Sequence, residues 1–197
     1  MYLFLDNETG GIGKEQYSLL TTYLLATDDA FNVIGELYLY LKPEDGIYKV
    51  CGEALNINRI DLQVHDTKAI SYKEGGTRLY KWLKELTDGG KNKFTVVGHG
   101  IYGDVEWIIH HLLSRGSWET FTSYRKLDTS AVCQFLKSCN MFPESVSGSL
   151  VSLAKHFNVT VDENQAHDAQ YDTMLTFEVF KALRKILMNS ENSKANH

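Results

Sequence analysis

The chain opens on an unbroken apolar run, Tyr2 to Leu5, that stops at Asp6, the pattern of a buried strand. Two segments rich in Tyr, Leu, Val and Thr follow at 17–26 and 33–41, and the Asp28-Asp29 turn signal between them predicts an antiparallel hairpin. Residues 42–70 are weakly patterned; a short helix fits 54–60 and loop fits the rest. Leu79, Leu83 and Leu86, with Trp82 beside them, mark a helix closed by Gly89-Gly90. A short apolar strand at 94–97 runs into Gly98, and 101–113 has helical spacing. Further on, the pattern predicts a strand at 123–127 and helices at 130–136, 149–157 and 168–187. From Asn189 the chain is polar and reads as a disordered tail.

Strands come first, then a strand–helix alternation, then helices. That order predicts an α/β domain, a mixed sheet with helices packed on it. With no repeat, low-complexity tract or interior linker, residues 1–188 read as one domain and 189–197 as its tail. A chain of 197 residues suits one domain with a full core.

Apolar residues make up 43% and charged residues 23%, which excludes a disordered or membrane-spanning chain. Twenty Lys and Arg against twenty-five Asp and Glu give a net charge of −5. This argues against tight, charge-driven binding to long nucleic acid, yet it is compatible with carboxylates that hold divalent cations. Three cysteines, Cys51, Cys133 and Cys139, form no CxxC pair and imply a reducing compartment. Cys133 and Cys139 read as core residues of a helix. The start has no basic region before its first carboxylate, so no signal peptide is expected, and no apolar run reaches membrane length. The expected setting is cytoplasmic, away from membranes.

Strand residues alternate faces, so Asp6 and Glu8 project the same way, about 6–7 Å apart. Such a pair is either a solvated strand end or a cation site, since like charges repel unless something positive lies between them. In the next helix Ile101, Val105, Ile108 and Leu112 form one stripe, and Asp104 falls within about 60° of its centre. An inward carboxylate there is satisfied either by the helix's own N–H groups or by a metal. Ala169, Asp172, Thr176, Val179 and Leu183 also share a stripe, so Asp172 faces inward, with His167 five residues before it. Two tempting motifs fail. Gly11-Ile12-Gly13 has Gln16 where a dinucleotide fingerprint needs its third glycine, and Gly13-Lys14 is followed by Glu15 where a phosphate loop needs Ser or Thr.

Three stretches, in order, resemble the DnaQ-like (DEDDh) 3′–5′ exonucleases of the ribonuclease H-like superfamily. Phe4-Leu5-Asp6-Asn7-Glu8-Thr9-Gly10 resembles the first motif, Asp-x-Glu-Thr after a core strand. In Val97-Gly98-His99-Gly100-Ile101-Tyr102-Gly103-Asp104, His99 and Asp104 keep the second motif's spacing. His167-Asp168-Ala169-Gln170-Tyr171-Asp172 resembles His-x-Ala-x-x-Asp, and Asp168 stands where the sibling subclass has tyrosine. Leu127-Asp128-Thr129 and Ser149-Leu150 also resemble stretches between the second and third motifs, so the likeness spans about residues 2 to 187. Gly100, Gly103 and Gly10 depart from the Asn, Phe and second Thr common in the family, and leave the expected ligands intact.

The resemblance implies a ribonuclease H-like sheet of three antiparallel strands joined to parallel ones and flanked by helices. It implies that Asp6, Glu8, Asp104 and Asp172 hold two Mg²⁺ or Mn²⁺ ions about 3.5–4 Å apart. His167 is then the general base, and Thr9, Gly10, His99 and Tyr102 are the expected substrate contacts, Tyr102 by stacking on a base. The expected partner is the 3′ end of single-stranded DNA, with RNA next, in proofreading or end trimming, for a monomer or homodimer that a polymerase also engages. Oligoribonucleotide or RNA 3′-end trimming is the alternative activity, and a non-catalytic, polymerase-associated end-binding module is the alternative class. Lys91, Lys93, Arg115, Arg125 and Lys126 form either a basic rim or ordinary solvated surface.

Overall fold

The strand that carries the first motif lies inside the sheet, with a neighbour on each side. A computed structural model describes residues 1–194. Strand β1 (Tyr2–Thr9) pairs antiparallel with β2 (Leu19–Thr27), from Tyr2 opposite Thr27 to Thr9 opposite Leu19. Every residue of β2 is buried, so it forms the least water-accessible part of the sheet. Asp28 then turns the chain, its Oδ1 accepting from the backbone N–H groups of Ala30 and Asn32 at 2.9 and 2.8 Å. Strand β3 (Val33–Lys42) returns antiparallel to β2.

Two short helices, α1 (Gly52–Asn58) and α2 (Leu62–Asp66), come next, the second capped by Asp61, whose side chain accepts from the Gln63 and Val64 N–H groups. Strand β4 (Ile70–Ser71) pairs with β3, and α3 (Tyr72–Leu86) follows it directly. Strand β5 (Phe94–Gly98) runs parallel to β1 and leads into α4 (Ile101–His111). Helix α5 (Arg115–Phe121) precedes β6 (Thr122–Asp128), which is parallel to β5. The chain closes with α6 (Thr129–Ser138), α7 (Leu150–His156) and α8 (Ala169–Lys194). The strand order is β4-β3-β2-β1-β5-β6. It is the mixed, helix-flanked ribonuclease H-like sheet expected, with β4 as an unexpected parallel edge.

Alternation along β1 decides what each face meets. Leu3 and Leu5 enter a core with Leu79 and Leu83 of α3, Ile101, Val105 and Ile108 of α4, and Trp118 and Phe121 of α5. Phe4 points the other way, into a cluster with Ala169, Phe177 and Phe180 of α8. A third cluster joins Cys133 and Leu136 of α6, Leu153 of α7, and Leu175, Val179 and Leu183 of α8.

Several expectations need correction. Helix α2, strand β4 and helix α5 lay in stretches read as loop or connection. Cys133 is buried, but Cys139 is exposed at the C-cap of α6 rather than in a core. The last helix continues to Lys194, so the polar segment from Asn189 is helical that far; residues 195–197 lie outside the described residues. Among the described residues no helix is long and apolar enough to cross a membrane.

Glycines mark the tightest approach between helices. A Cβ on Gly76 of α3 would sit 2.2 Å from the Leu112 carbonyl oxygen, whereas one on Gly116 of α5 meets nothing within 4 Å. Gly76→Ala is therefore expected to destabilise the fold by about 1–3 kcal/mol. Gly116→Ala should be neutral or stabilising by up to about 1 kcal/mol. Urea midpoints of the two variants check this, and equal midpoints would contradict the packing described.

Candidate active site

Asp6 and Glu8 share the face of β1 that Phe4 turns toward α8, so the third-motif helix covers them. Asp172 lies in the first turn of α8. One carboxylate oxygen from each of Asp6, Glu8 and Asp172 lies within 4.8 Å of the other two. The turn entering α8 is locked from both sides. His167 takes a positive φ of 66°, and its backbone N–H donates to Asp172 Oδ2 at 3.1 Å. Asp168 Oδ1 accepts from the Tyr171 N–H at 3.0 Å, and its Oδ2 accepts from the Tyr38 hydroxyl, also at 3.0 Å.

Asp104 stands beside this trio rather than within it. It occupies the first turn of α4 and is tied to β1 through Asn7, whose Nδ2 donates to the Asp104 carbonyl at 2.9 Å. Asn7 projects from β1 opposite to Asp6 and Glu8, which explains why Asp104 is held to one side. The Asp104 N–H and the polar groups of Asn7 lie near enough to favour the charged carboxylate, and the side chain is still close enough to repel Asp6.

The electrostatics follow from burial and crowding. Burial, then repulsion from Asp104, Glu8, Asp172 and Asp168, pushes the Asp6 carboxyl well above the ordinary range. Burial and the charges of Asp172, Asp168 and Asp104 push Glu8 from 4.5 up to about 9. Burial raises Asp104 to about 7, opposed by its own N–H and the polar groups of Asn7. Burial raises Asp172 too, tempered by the His167 N–H. Among the described residues, none of the four forms an ion pair with Lys or Arg. Desolvated, unpaired oxygen donors converging on one point are the donor set that hard divalent cations take. The residues present therefore fit such a metal.

A cleft of about 300 Å³ opens from this corner, with Glu8, His167 and Asp168 on one wall and Tyr38, Tyr40, His65 and Lys68 on others. A second cleft, of about 380 Å³, lies on the other side of Glu8 and is lined by Thr9, Ile12, Tyr17 and Ile57 among others. Asn58 borders both, and its Nδ2 donates to the Thr9 carbonyl at 3.1 Å. His167 is thus exposed on the cleft that Glu8 enters.

The remaining candidates divide. Thr9 lines the second cleft, with its hydroxyl donating to the Gly11 carbonyl at 3.0 Å. Gly10 is buried. Its N–H donates to Ser18 and its carbonyl accepts from Cys51, and a Cβ there would lie 2.3 Å from the Lys49 oxygen. It is a close-packing point for the backbone. His99 is tied to the β5–α6 joint, Nδ1 lying 2.9 Å from Thr129 Oγ1 while that hydroxyl donates to the Gly98 carbonyl at 3.1 Å. Tyr102 is exposed on α4. Of the expected basic rim, Lys91 pairs with Asp88, Arg115 pairs with Glu106, and Lys93 donates to the Glu119 carbonyl. Sequence reasoning missed Asp168, Asn7, Tyr38 and Asn58 as parts of the site. The first two sit inside the quoted motifs, whereas nothing in the sequence marks the last two.

Residues 3–180 match the family model RNase_T, described as Exonuclease. No curated protein sequence matches. Among solved structures the fold is similar to Exonuclease I of E. coli in complex with a dT13 oligonucleotide, with a TM-score of 0.75 and 20% identity over 98% of this chain and 42% of that one. It is also similar to a moderately thermophilic Exonuclease I from Methylocaldum szegediense, with a TM-score of 0.74 and 21% identity over 93% of this chain and 40% of that one. The chain thus spans about two fifths of the length of these proteins, and at such identity the likeness is one of fold.

The raised carboxyl groups make stability depend on pH. The folded chain binds the Glu8 proton more tightly than the unfolded chain does. Without metal, the stabilisation is therefore present below pH 4.5 and lost as pH rises toward about 9. In EDTA the melting temperature should fall between about pH 6 and pH 8. Glu8→Gln should flatten that fall and melt higher at the alkaline end. Added Mn²⁺ should stabilise the native protein, more so at the higher pH, and stabilise the variant less. A melting temperature indifferent to pH, metal and Glu8→Gln alike would refute this account of the cluster.

Proposed function

This chain belongs to the RNase_T exonuclease family, whose model covers residues 3–180, and on that premise we propose that it is a metal-dependent 3′–5′ exonuclease of the histidine (DEDDh) subclass. It releases nucleoside 5′-monophosphates from single-stranded DNA ends, with residues 1–188 as the working domain. One observation carries the reading: carboxylates from β1 and α8 converge within 4.8 Å, beside a cleft on which His167 is exposed. That one of the similar structures is a complex with dT13 supports single-stranded DNA over RNA.

Asp6, Glu8 and Asp172 are the residues that would hold divalent cations, with Asp104 supplying a fourth carboxylate from the side. Two such ions, when bound, supply charge neutralisation at the phosphodiester. The chain's own groups do the rest. His167 accepts the proton of the attacking water, a task that suits an imidazole at the mouth of the cleft. The new bond joins the water oxygen to phosphorus, and the bond from phosphorus to the 3′-oxygen of the preceding nucleotide breaks. Asp172 holds the His167 turn through its backbone N–H. Tyr38 steadies the same turn by donating to Asp168. The two clefts on either side of Glu8 give the last nucleotides places to lie.

A time course on 5′-labelled single-stranded DNA, with Mg²⁺, Mn²⁺ or EDTA, tests the reading. A metal-dependent ladder shortening from the 3′ end is expected, slower on RNA of the same sequence. Asp6→Ala and Asp172→Ala should abolish release while the chain stays folded. His167→Ala should lose about 10²–10⁴-fold in kcat while keeping the metal-induced rise in melting temperature. Degradation by Asp6→Ala at the native rate would end the proposal.

A further inference from the structure

β6 is the outer strand of the sheet, and it is not a plain edge. Phe94 pairs with Thr122 and Val96 with Lys126, so Ser123, Tyr124 and Arg125 stand opposite the single residue Thr95. A bulge of this size re-aims its side chains and spoils the edge for addition of another strand. Here it throws Tyr124 and Arg125 outward, and Tyr124 is 67% exposed. The Arg125 guanidinium lies 4.5 Å from the centre of the Tyr124 ring. Lys126 donates to the Tyr124 carbonyl at 3.4 Å, and its ammonium lies 5.2 Å from the ring centre of Tyr102. Tyr102 is 61% exposed in the first turn of α4, two residues before Asp104. At the far end of β6, Asp128 Oδ1 accepts from the Gly100 N–H at 3.2 Å, which fixes the strand against that turn.

Two exposed tyrosines and the cation over one face of each therefore form one ledge, whose Tyr102 end lies on the helix that carries Asp104. Lone exposed tyrosines mean little. Here, however, Arg125 and Lys126 form no ion pair among the described residues, whereas Lys91 and Arg115 each have a carboxylate partner. Lys68 over Tyr40 and Arg184 over Phe31 show the same pairing singly, whereas here two such pairs adjoin, joined by Lys126 and the Tyr124 carbonyl. This arrangement suits a polymer that alternates negative charge with planar bases. An acidic peptide would use the cations and leave the rings uncovered, and the bulge obstructs a second copy of the chain.

We infer that this ledge holds the stretch of single-stranded DNA just upstream of the 3′ end. Bases stack on Tyr124 and Tyr102, and phosphates meet Arg125 and Lys126. The inference rests on the exonuclease reading above and adds a binding track outside the cluster.

The test separates the two. Binding of a twelve-residue oligothymidylate in Ca²⁺ reports on the ledge, and Mn²⁺-dependent hydrolysis of thymidine 5′-p-nitrophenyl phosphate, too short to reach it, reports on the cluster. Tyr124→Ala should raise the dissociation constant for the oligomer about 10-fold and leave hydrolysis of the small ester unchanged. Arg125→Gln combined with Lys126→Gln should flatten the slope of log affinity against log salt by about 1.4. Native affinity for the oligomer in Tyr124→Ala overturns the ledge, as does a parallel loss on the small ester. An acidic peptide that competes as well as the DNA overturns its assignment to nucleic acid. Native protein that binds the oligomer through Tyr124 but cleaves neither substrate overturns the exonuclease reading and leaves the ledge standing.

Discussion

Mutual repulsion among buried carboxylates is the constraint around which this molecule is organised. Asp6, Glu8 and Asp172 lie within 4.8 Å of one another and Asp104 stands close by, with no Lys or Arg partner among the described residues. Left alone, such a group pushes its members apart or takes up protons. What prevents separation is a bond of another kind between the same two elements. Phe4, two residues before Asp6 on the same face of β1, meets Phe177 and Phe180 of α8 with ring centres 5.0 and 5.5 Å apart. Tyr2 continues the contact, stacking on Phe31 at 5.3 Å and touching Phe180 at 5.6 Å. One strand face and one helix stripe thus carry both the apolar adhesion and the carboxylates, and the adhesion fixes their spacing.

The sheet makes that face rigid. β1 has hydrogen-bonded neighbours on both sides, and β2 is buried along its whole length. Asp6 is opposite Tyr23, whose hydroxyl donates to Glu36 of β3 at 2.6 Å, so the strands behind the cluster are cross-tied as well. Asp104 obeys a different logic. Its helix packs on the opposite face of the sheet through Ile101, Val105 and Ile108, and Asn7, the residue between Asp6 and Glu8, brings it to the strand. The cluster therefore joins the two helical layers across the end of β1. Asp104 rises only to about 7 where Glu8 reaches about 9, because its own N–H and the polar groups of Asn7 favour its charged form.

Much of this was legible in the sequence because it is local. Alternation placed Asp6 and Glu8 on one face of a strand, and helical spacing turned Asp172 inward; it was the resemblance of the ordered motifs that assigned Asp6 and Asp172, 166 positions apart, to one corner. The hairpin, the mixed sheet and the helices α3, α4, α6 and α7 followed from the same periodicities. Residues 42–70 were opaque for an equally physical reason. They are held by long-range backbone bonds that leave no period: Ser18 N–H to the Lys49 carbonyl, Cys51 N–H to the Gly10 carbonyl, and Asn58 Nδ2 to the Thr9 carbonyl. Yet this segment walls both clefts beside Glu8. The packing role of Gly10 was hidden for the same cause, since its lack of a side chain answers the approach of Lys49 and Val50. The β6 bulge was hidden too, because a register shift exists only between two strands.

On the exonuclease reading proposed above, net charge is a poor guide to where the chain would meet a polyanion. The chain carries −5 overall, and its acidic corner repels phosphate until cations are present. Attraction would then come from bound metal at the corner and from cations that no carboxylate neutralises. Lys14, Lys91 and Arg115 are held by carboxylates. Arg125 and Lys126 instead lie over tyrosine rings on a strand that ends beside the first turn of α4. A surface of this kind favours a short strand end that reaches both metal and ledge over a long duplex that presents only phosphates. On that reading, a preference for an end would follow from where the sheet sets the ledge relative to the acidic corner.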